Sequence, residues 1–219
     1  FNNRRINAFM RKVTLFVVAV AAVMLAAGLF FAPQLPEQVP SHWNAAGQVD
    51  GYMPKDWHVY GFPIATLLLG LLLVYLPEID PLKKNVKKFR EEYDLFTAFF
   101  AAFLAFLYGV TLAWGLGYEF PMNLAVLPAI AGLLYVSAEL MEKSQRNWFI
   151  GVKTPWTLSS DRVWRKTHDL AAKMFKGFAF AFLALLFYPQ AMLAVMLVLL
   201  SGIAIIIVYS YLAYKEEQK

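Results

Sequence analysis

The sequence has no cysteine among its 219 residues. This absence excludes disulfide frameworks, thiolate nucleophiles and cysteine-ligated zinc sites. Charge is also scarce, because Asp, Glu, Lys and Arg together make up 16% of the chain, against about 25% in an average soluble domain. Hydrophobic residues reach 60%, compared with about 45 to 50% in soluble proteins. The composition therefore argues against a soluble enzyme.

Long segments without any charged residue run through the chain. A bilayer core about 30 Å thick is crossed by roughly 20 apolar residues of helix, and the charge-free segments that satisfy this are 13–36, 58–77, 95–118, 120–138 and 177–214. The last is long enough for two helices and is interrupted by Tyr188, Pro189 and Gln190, which predicts a tight hairpin. Its first helix can begin near Leu170 if two lysines extend to the headgroups. We therefore predict an all-α integral membrane protein with six transmembrane helices.

The basic residues support an even number of spans. All Lys and Arg residues except Lys55 fall in segments that six spans place on one side of the membrane. Lys and Arg in short loops accumulate on the cytoplasmic side, so both termini are predicted to be cytoplasmic, in the cell membrane. The formal net charge of +5 is then a consequence of topology, and no direct nucleic-acid binding is expected.

The predicted outer loop, residues 33–57, is rich in proline and glycine, which argues against a helix. Within it, Asp50-Gly51 is a dipeptide typical of turns. Four side chains of the loop and its end are metal-ligand types, but no standard spacing connects them: His42, Asp50, Asp56 and His58. The alternative is that His42 packs at the headgroup level and Asp50 caps a turn, and both interpretations remain open.

The predicted inner loop, residues 142–173, contains a helix start at Ser160, with Asp161 in the first turn where the helix dipole favours negative charge. Downstream, basic residues gather on one face of this helix and apolar residues on another. We predict an amphipathic interfacial helix that leads into the fifth span, its basic face meeting anionic headgroups.

Both loops carry a family resemblance. The outer segment resembles the uncharacterised membrane domain that often precedes the Sdp immunity region, through Leu35-Pro36, Val39-Pro40, His42-Trp43-Asn44, Gly47, Asp50-Gly51-Tyr52 and Lys55. The inner segment resembles the signature of the SdpI family, through residues 147–158, Trp164 and Thr167-His168. Lys153 stands where the family usually has arginine, and lysine lacks the planar fork that binds carboxylate or phosphate with two bonds.

The resemblance divides the chain into an N-terminal membrane region, 1–94, with two spans and a basic loop at 78–94, and an SdpI-like region, 95–219, with four spans. It implies immunity against a secreted, membrane-active peptide toxin, with a transcriptional repressor held at the membrane as a further partner. We expect partner contact at Asn147, Gly151, Lys153, Thr154, Pro155, Trp156, Trp164 and His168. We expect toxin or lipid contact at His42, Trp43, Asp50, Tyr52 and Lys55.

Two other function classes remain as alternatives. A small-molecule or ion transporter would use Glu139, the main carboxylate within the predicted spans, although that residue can also pair with Lys143 one turn later. A membrane enzyme would use the outer His and Asp residues with a metal, or Ser159, Ser160, Asp161 and His168 as a hydrolytic site. Helix capping explains the two serines equally well, so no catalytic residue, metal site or cofactor is predicted.

Overall fold

The computed structural model describes residues 3–44 and 47–219, and helices dominate it. Four helices are long: α1 (Asn3–Phe31), α4 (Arg90–Gly115), α7 (Asp161–Ala184) and α8 (Met192–Glu217). Two others span about 20 residues, and two are short: α2 (Phe62–Ile79), α3 (Lys83–Val86), α5 (Met122–Lys143) and α6 (Pro155–Ser159). A π-helical turn, Trp57–Gly61, precedes α2, and a 3-10 turn, Pro189–Ala191, precedes α8.

Five helical segments of the described chain are long and apolar enough to cross a membrane: Arg11–Gln34, Trp57–Ile79, Lys83–Gly115, Met122–Lys143 and Pro189–Glu217. They include the predicted spans one to four and six. The predicted fifth span lies in α7, which is a single continuous helix that begins with the charged, amphipathic turns and ends in an apolar segment. The predicted hairpin between the last two helices is present, since α7 ends at Ala184 and α8 begins at Met192.

The outer loop is a β-hairpin, so the all-α prediction is wrong for this segment. Strand β1 (Gln38–Trp43) pairs antiparallel with β2 (Val49–Pro54), with Val39 opposite Met53. Asp50 and Gly51 lie inside β2, and the turn expected at this dipeptide is instead made nearer Asn44, whose side chain accepts a hydrogen bond from the backbone N–H of Gln48 at 3.1 Å. Gly51 permits close strand approach, because a Cβ there would lie 2.8 Å from the His42 Cβ.

The described residues form two compact units. The first comprises Asn3–Val74 and Thr97–Ala129. Its core combines side chains from the hairpin, α1, the π turn and α4: Met24, Leu35, Val39, Val59, Tyr108 and Leu112. Gly115 allows the hairpin to pack closely against α4, because a Cβ at this position would lie 2.8 Å from the Leu35 side chain and 3.1 Å from the Val39 side chain. The hairpin is therefore anchored by apolar packing as well as by strand pairing.

The second unit comprises Tyr75–Phe96 and Ile130–Lys219. One of its apolar cores joins α3 and the start of α4 to the end of α5 and the segment that follows: Val86, Phe89, Tyr93, Leu140 and Ile150. In the α7–α8 hairpin, Gly202 lies directly against the ring of Phe178, where a Cβ would be 2.3 Å from the ring edge. This unit contains the whole inner motif.

Candidate functional site

A buried histidine holds the segment between α5 and α7, residues 144–160, which we call the motif loop. His168 on α7 is 1% exposed, and its Nε2 accepts a hydrogen bond from the backbone N–H of Val152 at 2.9 Å. Because Nε2 accepts, the proton of the neutral ring is on Nδ1, which donates to the backbone carbonyl of Trp164 at 2.8 Å. The Trp164 ring stacks on the imidazole with centroids 4.0 Å apart. Both ring nitrogens are thus used inside the protein.

Gly151 lies directly against this histidine. Its φ of +95° is in the left-handed region that glycine adopts without steric cost. A Cβ at this position would lie 2.3 Å from the His168 Nε2. Glycine is therefore required twice at position 151, for the backbone conformation and for the approach of the imidazole to Val152.

Short-range polar contacts shape the motif loop on either side of Gly151. The Asn147 side chain is fully buried and accepts from the backbone N–H groups of Phe149 and Ile150 at 3.0 and 2.6 Å. Further along, Thr154 and Thr157 form a reciprocal capping box at the start of α6. The Thr154 hydroxyl accepts from the backbone N–H of Thr157 at 3.2 Å, and the Thr157 hydroxyl accepts from the backbone N–H of Thr154 at 2.9 Å. This pattern supplies partners for backbone donors that the first helical turn leaves unsatisfied.

Contacts to other elements of the second unit fix the position of the motif loop. Ser144 accepts from the Trp164 Nε1–H through its carbonyl at 3.2 Å. Asp80, 2% exposed, accepts from the backbone N–H of Trp148 at 2.9 Å. The hydroxyls of Thr154 and Ser210 are 3.1 Å apart, which joins the loop to α8. Three segments therefore hold the loop: α7, α8 and the segment that contains Asp80.

Besides Trp148, which is 51% exposed, the exposed part of the motif is a small patch, which we call the Lys153–Trp156 surface: Lys153, Pro155 and Trp156. Lys153 and Pro155 are exposed. Trp156 is half-buried and packs against Tyr211, with ring centroids 5.1 Å apart. Lys153 donates through Nζ to the carbonyl of Phe149 at 2.9 Å. This surface combines one cation with apolar and aromatic groups, a combination common in protein contact sites.

The predicted partner-contact residues thus divide into two groups. Asn147, Thr154, Trp164 and His168 are buried and are engaged in the contacts that shape the loop, while Gly151 is needed for its backbone. Only the Lys153–Trp156 surface is open to a partner. Sequence reasoning missed Asp80 and Ser210, because their roles come from segments distant in the chain and no local pattern indicates them.

The outer residues lie in the first unit. His42 Nδ1 and an Asp50 carboxylate oxygen are 2.5 Å apart across the hairpin, on exposed side chains. Lys55 pairs with Glu37 at 2.6 Å, and Tyr52 is exposed. The four side chains of metal-ligand type do not come together, because no three His, Cys, Asp or Glu residues in the described ranges 3–44 and 47–219 are placed to hold an ion.

Trp43 and His58 are both turned toward the helices of the first unit. The Trp43 and Trp114 ring centroids are 5.4 Å apart. His58 is fully buried, and its Nε2 lies 3.0 Å from the Thr111 hydroxyl. Of the candidate metal ligands, His58 therefore serves helix packing, whereas His42 and Asp50 pair on the hairpin surface.

Charged residues near the ends of the spans are paired. Glu139 binds Lys176 of α7 at 2.7 Å rather than Lys143 in its own helix, and Lys176 also binds Glu142 at 2.7 Å. A buried ion pair that sequence reasoning missed joins Arg90 to Asp94 at 2.8 Å. The pairs of Lys176 join α5 to α7, whereas Arg90 and Asp94 both lie in α4 and Arg90 reaches α2 through Glu78 at 3.3 Å. Glu139 is thus engaged with a cation.

The residues considered for a hydrolytic site are engaged in structural contacts. Ser160 caps α7 by accepting from the backbone N–H groups of Arg162 and Val163, both at 3.2 Å. Ser159 donates to the carbonyl of Trp156 at 2.9 Å, and Asp161 binds Arg146 at 2.7 Å. With both nitrogens of His168 also occupied, the geometry of a nucleophile and its base is not formed.

Comparison with known proteins gives a consistent result. Residues 143–210 match the model of the SdpI/YfhL protein family. We call these residues the family region because of this similarity. Residues 19–67 match a domain of unknown function, DUF1648. No solved structure matches the chain significantly.

A curated relative spans nearly the whole chain. The chain is 23% identical over 209 residues to the immunity protein SdpI of Bacillus subtilis (strain 168), covering 94% of this chain and 98% of that protein. The family region contains the motif-loop contacts described above, except the one that Asp80 makes with Trp148. Together with the five apolar helices, the likeness identifies a multi-pass membrane protein.

Substituting Gly151 tests the contact with His168. Gly151→Ala adds a Cβ at a positive φ and against Nε2, whereas Gly117→Ala meets the same backbone strain at φ +87° with open space around it. We expect Gly117→Ala to cost about 1 kcal/mol of stability and Gly151→Ala roughly 1 to 3 kcal/mol more. Thermal unfolding of the purified proteins in detergent measures both, and equal unfolding midpoints would contradict the assigned contact.

The protonation of His168 provides a second test. Burial lowers its pKa from 6.5 to about 4, and a proton on Nε2 would oppose the N–H of Val152. The neutral ring therefore stabilises the fold fully above pH 6.5, and this contribution is lost as the pH falls from 6.5 toward 4. NMR of histidine-labelled protein in micelles, assigned with His168→Gln, should show a neutral Nδ1–H tautomer at pH 5. Titration near pH 6.5 would exclude the buried arrangement.

Proposed function

We propose that this chain is a membrane immunity protein that protects the cell against a secreted, membrane-active peptide toxin. The likeness to the Bacillus subtilis immunity protein over nearly the whole length of both chains carries this proposal. The motif loop supports it, because the family region builds a firmly held segment around His168 that displays the Lys153–Trp156 surface. Such a surface suits a protein partner better than chemistry on a small substrate.

We assign a different binding role to each of the two units. His42, Asp50 and Tyr52 on the exposed surface of the hairpin, with the partly buried Lys55 that follows it, are the proposed contacts for toxin or lipid on the outer side. The Lys153–Trp156 surface is the proposed contact for a cytoplasmic transcriptional repressor. Signalling between them would require two states of the helices that toxin and repressor bind unequally.

We further propose six spans with both termini cytoplasmic. The fifth is the apolar part of α7, which begins near Leu170 after the amphipathic interfacial turns and leads to the hairpin before α8. Its deepest lysine, Lys176, is paired with Glu139 and Glu142, and pairing reduces the cost of a charge at the membrane boundary. The connection to α8 is a tight hairpin, as two adjacent spans require.

Survival of toxin-sensitive bacteria tests the proposed function. Cells that express the chain and are dosed with an Sdp-type peptide should survive, and Lys153→Ala combined with Trp156→Ala should remove protection at equal membrane abundance. Lys153→Arg should retain protection because it keeps the charge. Trp57→Ala, which removes an exposed tryptophan of the other unit, is the control.

Other outcomes of this assay are equally informative. Killing of cells that contain abundant wild-type protein in the membrane would contradict immunity against that peptide. Full protection by the Lys153 and Trp156 double variant would contradict a role for the Lys153–Trp156 surface.

Thiol labelling tests the topology. The chain has no cysteine, so single-cysteine variants report one position each. A membrane-impermeant maleimide should label Gln38→Cys in intact cells, and should label Asn3→Cys and Gln218→Cys only after lysis. Labelling of Gln218→Cys but not Asn3→Cys in intact cells would indicate an odd number of spans and exclude α7 as a span.

A further inference from the structure

A polar cavity of about 230 Å³ opens beside the motif loop. It is lined by the end of α5, the start of the motif loop and the first turns of α7, including Arg146, Asp161, Trp164, Arg165, His168 and Asp169. One water needs only about 10 to 15 Å³, and drug-sized ligand sites begin near 300 Å³. The space therefore suits a small polar group.

The charges around the cavity leave one cation and one anion unpaired. Glu142 is bound by Lys176, and Asp161 is bound by Arg146. By contrast, the side chains of Arg165 and Asp169 make no ion pair or hydrogen bond within the described part of the chain. A zwitterion satisfies both, whereas a simple anion or a simple cation would satisfy only one.

The wall of the cavity is rigid. Arg146 is held through Nε by Asp161 at 2.7 Å and through Nη1 by the carbonyl of Leu158 at 2.8 Å. Trp164 and His168 are buried and fixed by the contacts that hold the motif loop. These fixed groups shape the cavity, whereas Arg165 and Asp169 line it with exposed side chains.

The location indicates the source of the ligand. The apolar segment that contains α5 ends at Lys143, and the cavity is lined by Met141, Glu142 and the residues just beyond. The cavity therefore opens where a membrane-crossing helix leaves the hydrocarbon, which is the level of phospholipid headgroups.

We propose that this cavity binds the phosphoethanolamine headgroup of a membrane phospholipid, with Arg165 on the phosphate and Asp169 on the ammonium. A guanidinium presents a planar fork that matches phosphate oxygens. A primary ammonium donates hydrogen bonds to a carboxylate, which the quaternary ammonium of choline cannot do. The site is independent of the proposed immunity function and goes beyond it.

Native mass spectrometry of the full-length protein tests the site, using equal amounts of phosphatidylethanolamine, phosphatidylcholine and phosphatidylglycerol with matched acyl chains. We expect phosphatidylethanolamine to be retained over phosphatidylcholine by about tenfold, as one charge-assisted hydrogen bond allows. Asp169→Asn should remove this preference, and Arg165→Gln should weaken retention about tenfold. Arg162→Gln, on the same helix but outside the cavity lining, should change neither.

Calorimetric titration with soluble phosphoethanolamine and with inorganic phosphate distinguishes a membrane lipid from a soluble molecule as the ligand. Weaker binding of both than of the lipid is expected. Tight binding of soluble phosphoethanolamine would assign the cavity to a soluble ligand and overturn the lipid proposal. A preference for phosphatidylglycerol would show an anion site, and equal retention of all three lipids by wild type and variants would show no site. Unchanged unfolding midpoints confirm that the variants are folded.

Discussion

The motif loop depends on one neutral imidazole held between two backbone groups. His168 can accept from Val152 and donate to Trp164 at the same time only in the Nδ1–H tautomer, and only because Gly151 leaves room for the ring. Buried polar groups stabilise a structure when every member has a partner. The indole of Trp164 completes the arrangement by covering the ring and donating to Ser144.

This constraint explains why so many chemically distinctive side chains of the family region are internal. Residues such as Asn147, Thr157 and His168 satisfy backbone groups of a segment that has little regular structure of its own, and buried backbone N–H and C=O groups must be paired. A partner can meet the Lys153–Trp156 surface and the exposed Trp148 directly. A substitution of a buried member would therefore act through the shape of the loop, and a substitution on the surface would act directly.

Much of the fold could be predicted from the sequence, because membrane-crossing helices are determined by local apolar length. Five helices and the α7–α8 hairpin follow from charge-free runs and from Pro189. The outer hairpin could not be predicted, because its prolines and glycines resemble those of an irregular loop, and Gly51 serves close strand approach rather than a turn. Packing between segments distant in the chain determines the structure of the hairpin. It also determines the ion-pair partner of Glu139, which is Lys176 of α7 and not Lys143 of the same helix.

For the site, the sequence singled out a set of residues but not their contacts. The burial of Asn147, Trp164 and His168 depends on contacts with α7, α8 and the segment that contains Asp80. Those contacts join positions more than 50 residues apart in the case of Thr154 and Ser210. Periodicity and spacing carry no information about such pairs.

Hydrogen–deuterium exchange at the Val152 amide tests the central claim most directly. If this N–H is bound by His168, it should exchange slowly in the wild-type protein and in Lys153→Ala. It should exchange rapidly in His168→Ala, while amides in the middle of α8 remain protected as an internal control of folding. Rapid exchange of the Val152 amide in the folded wild-type protein would contradict a motif loop held by His168.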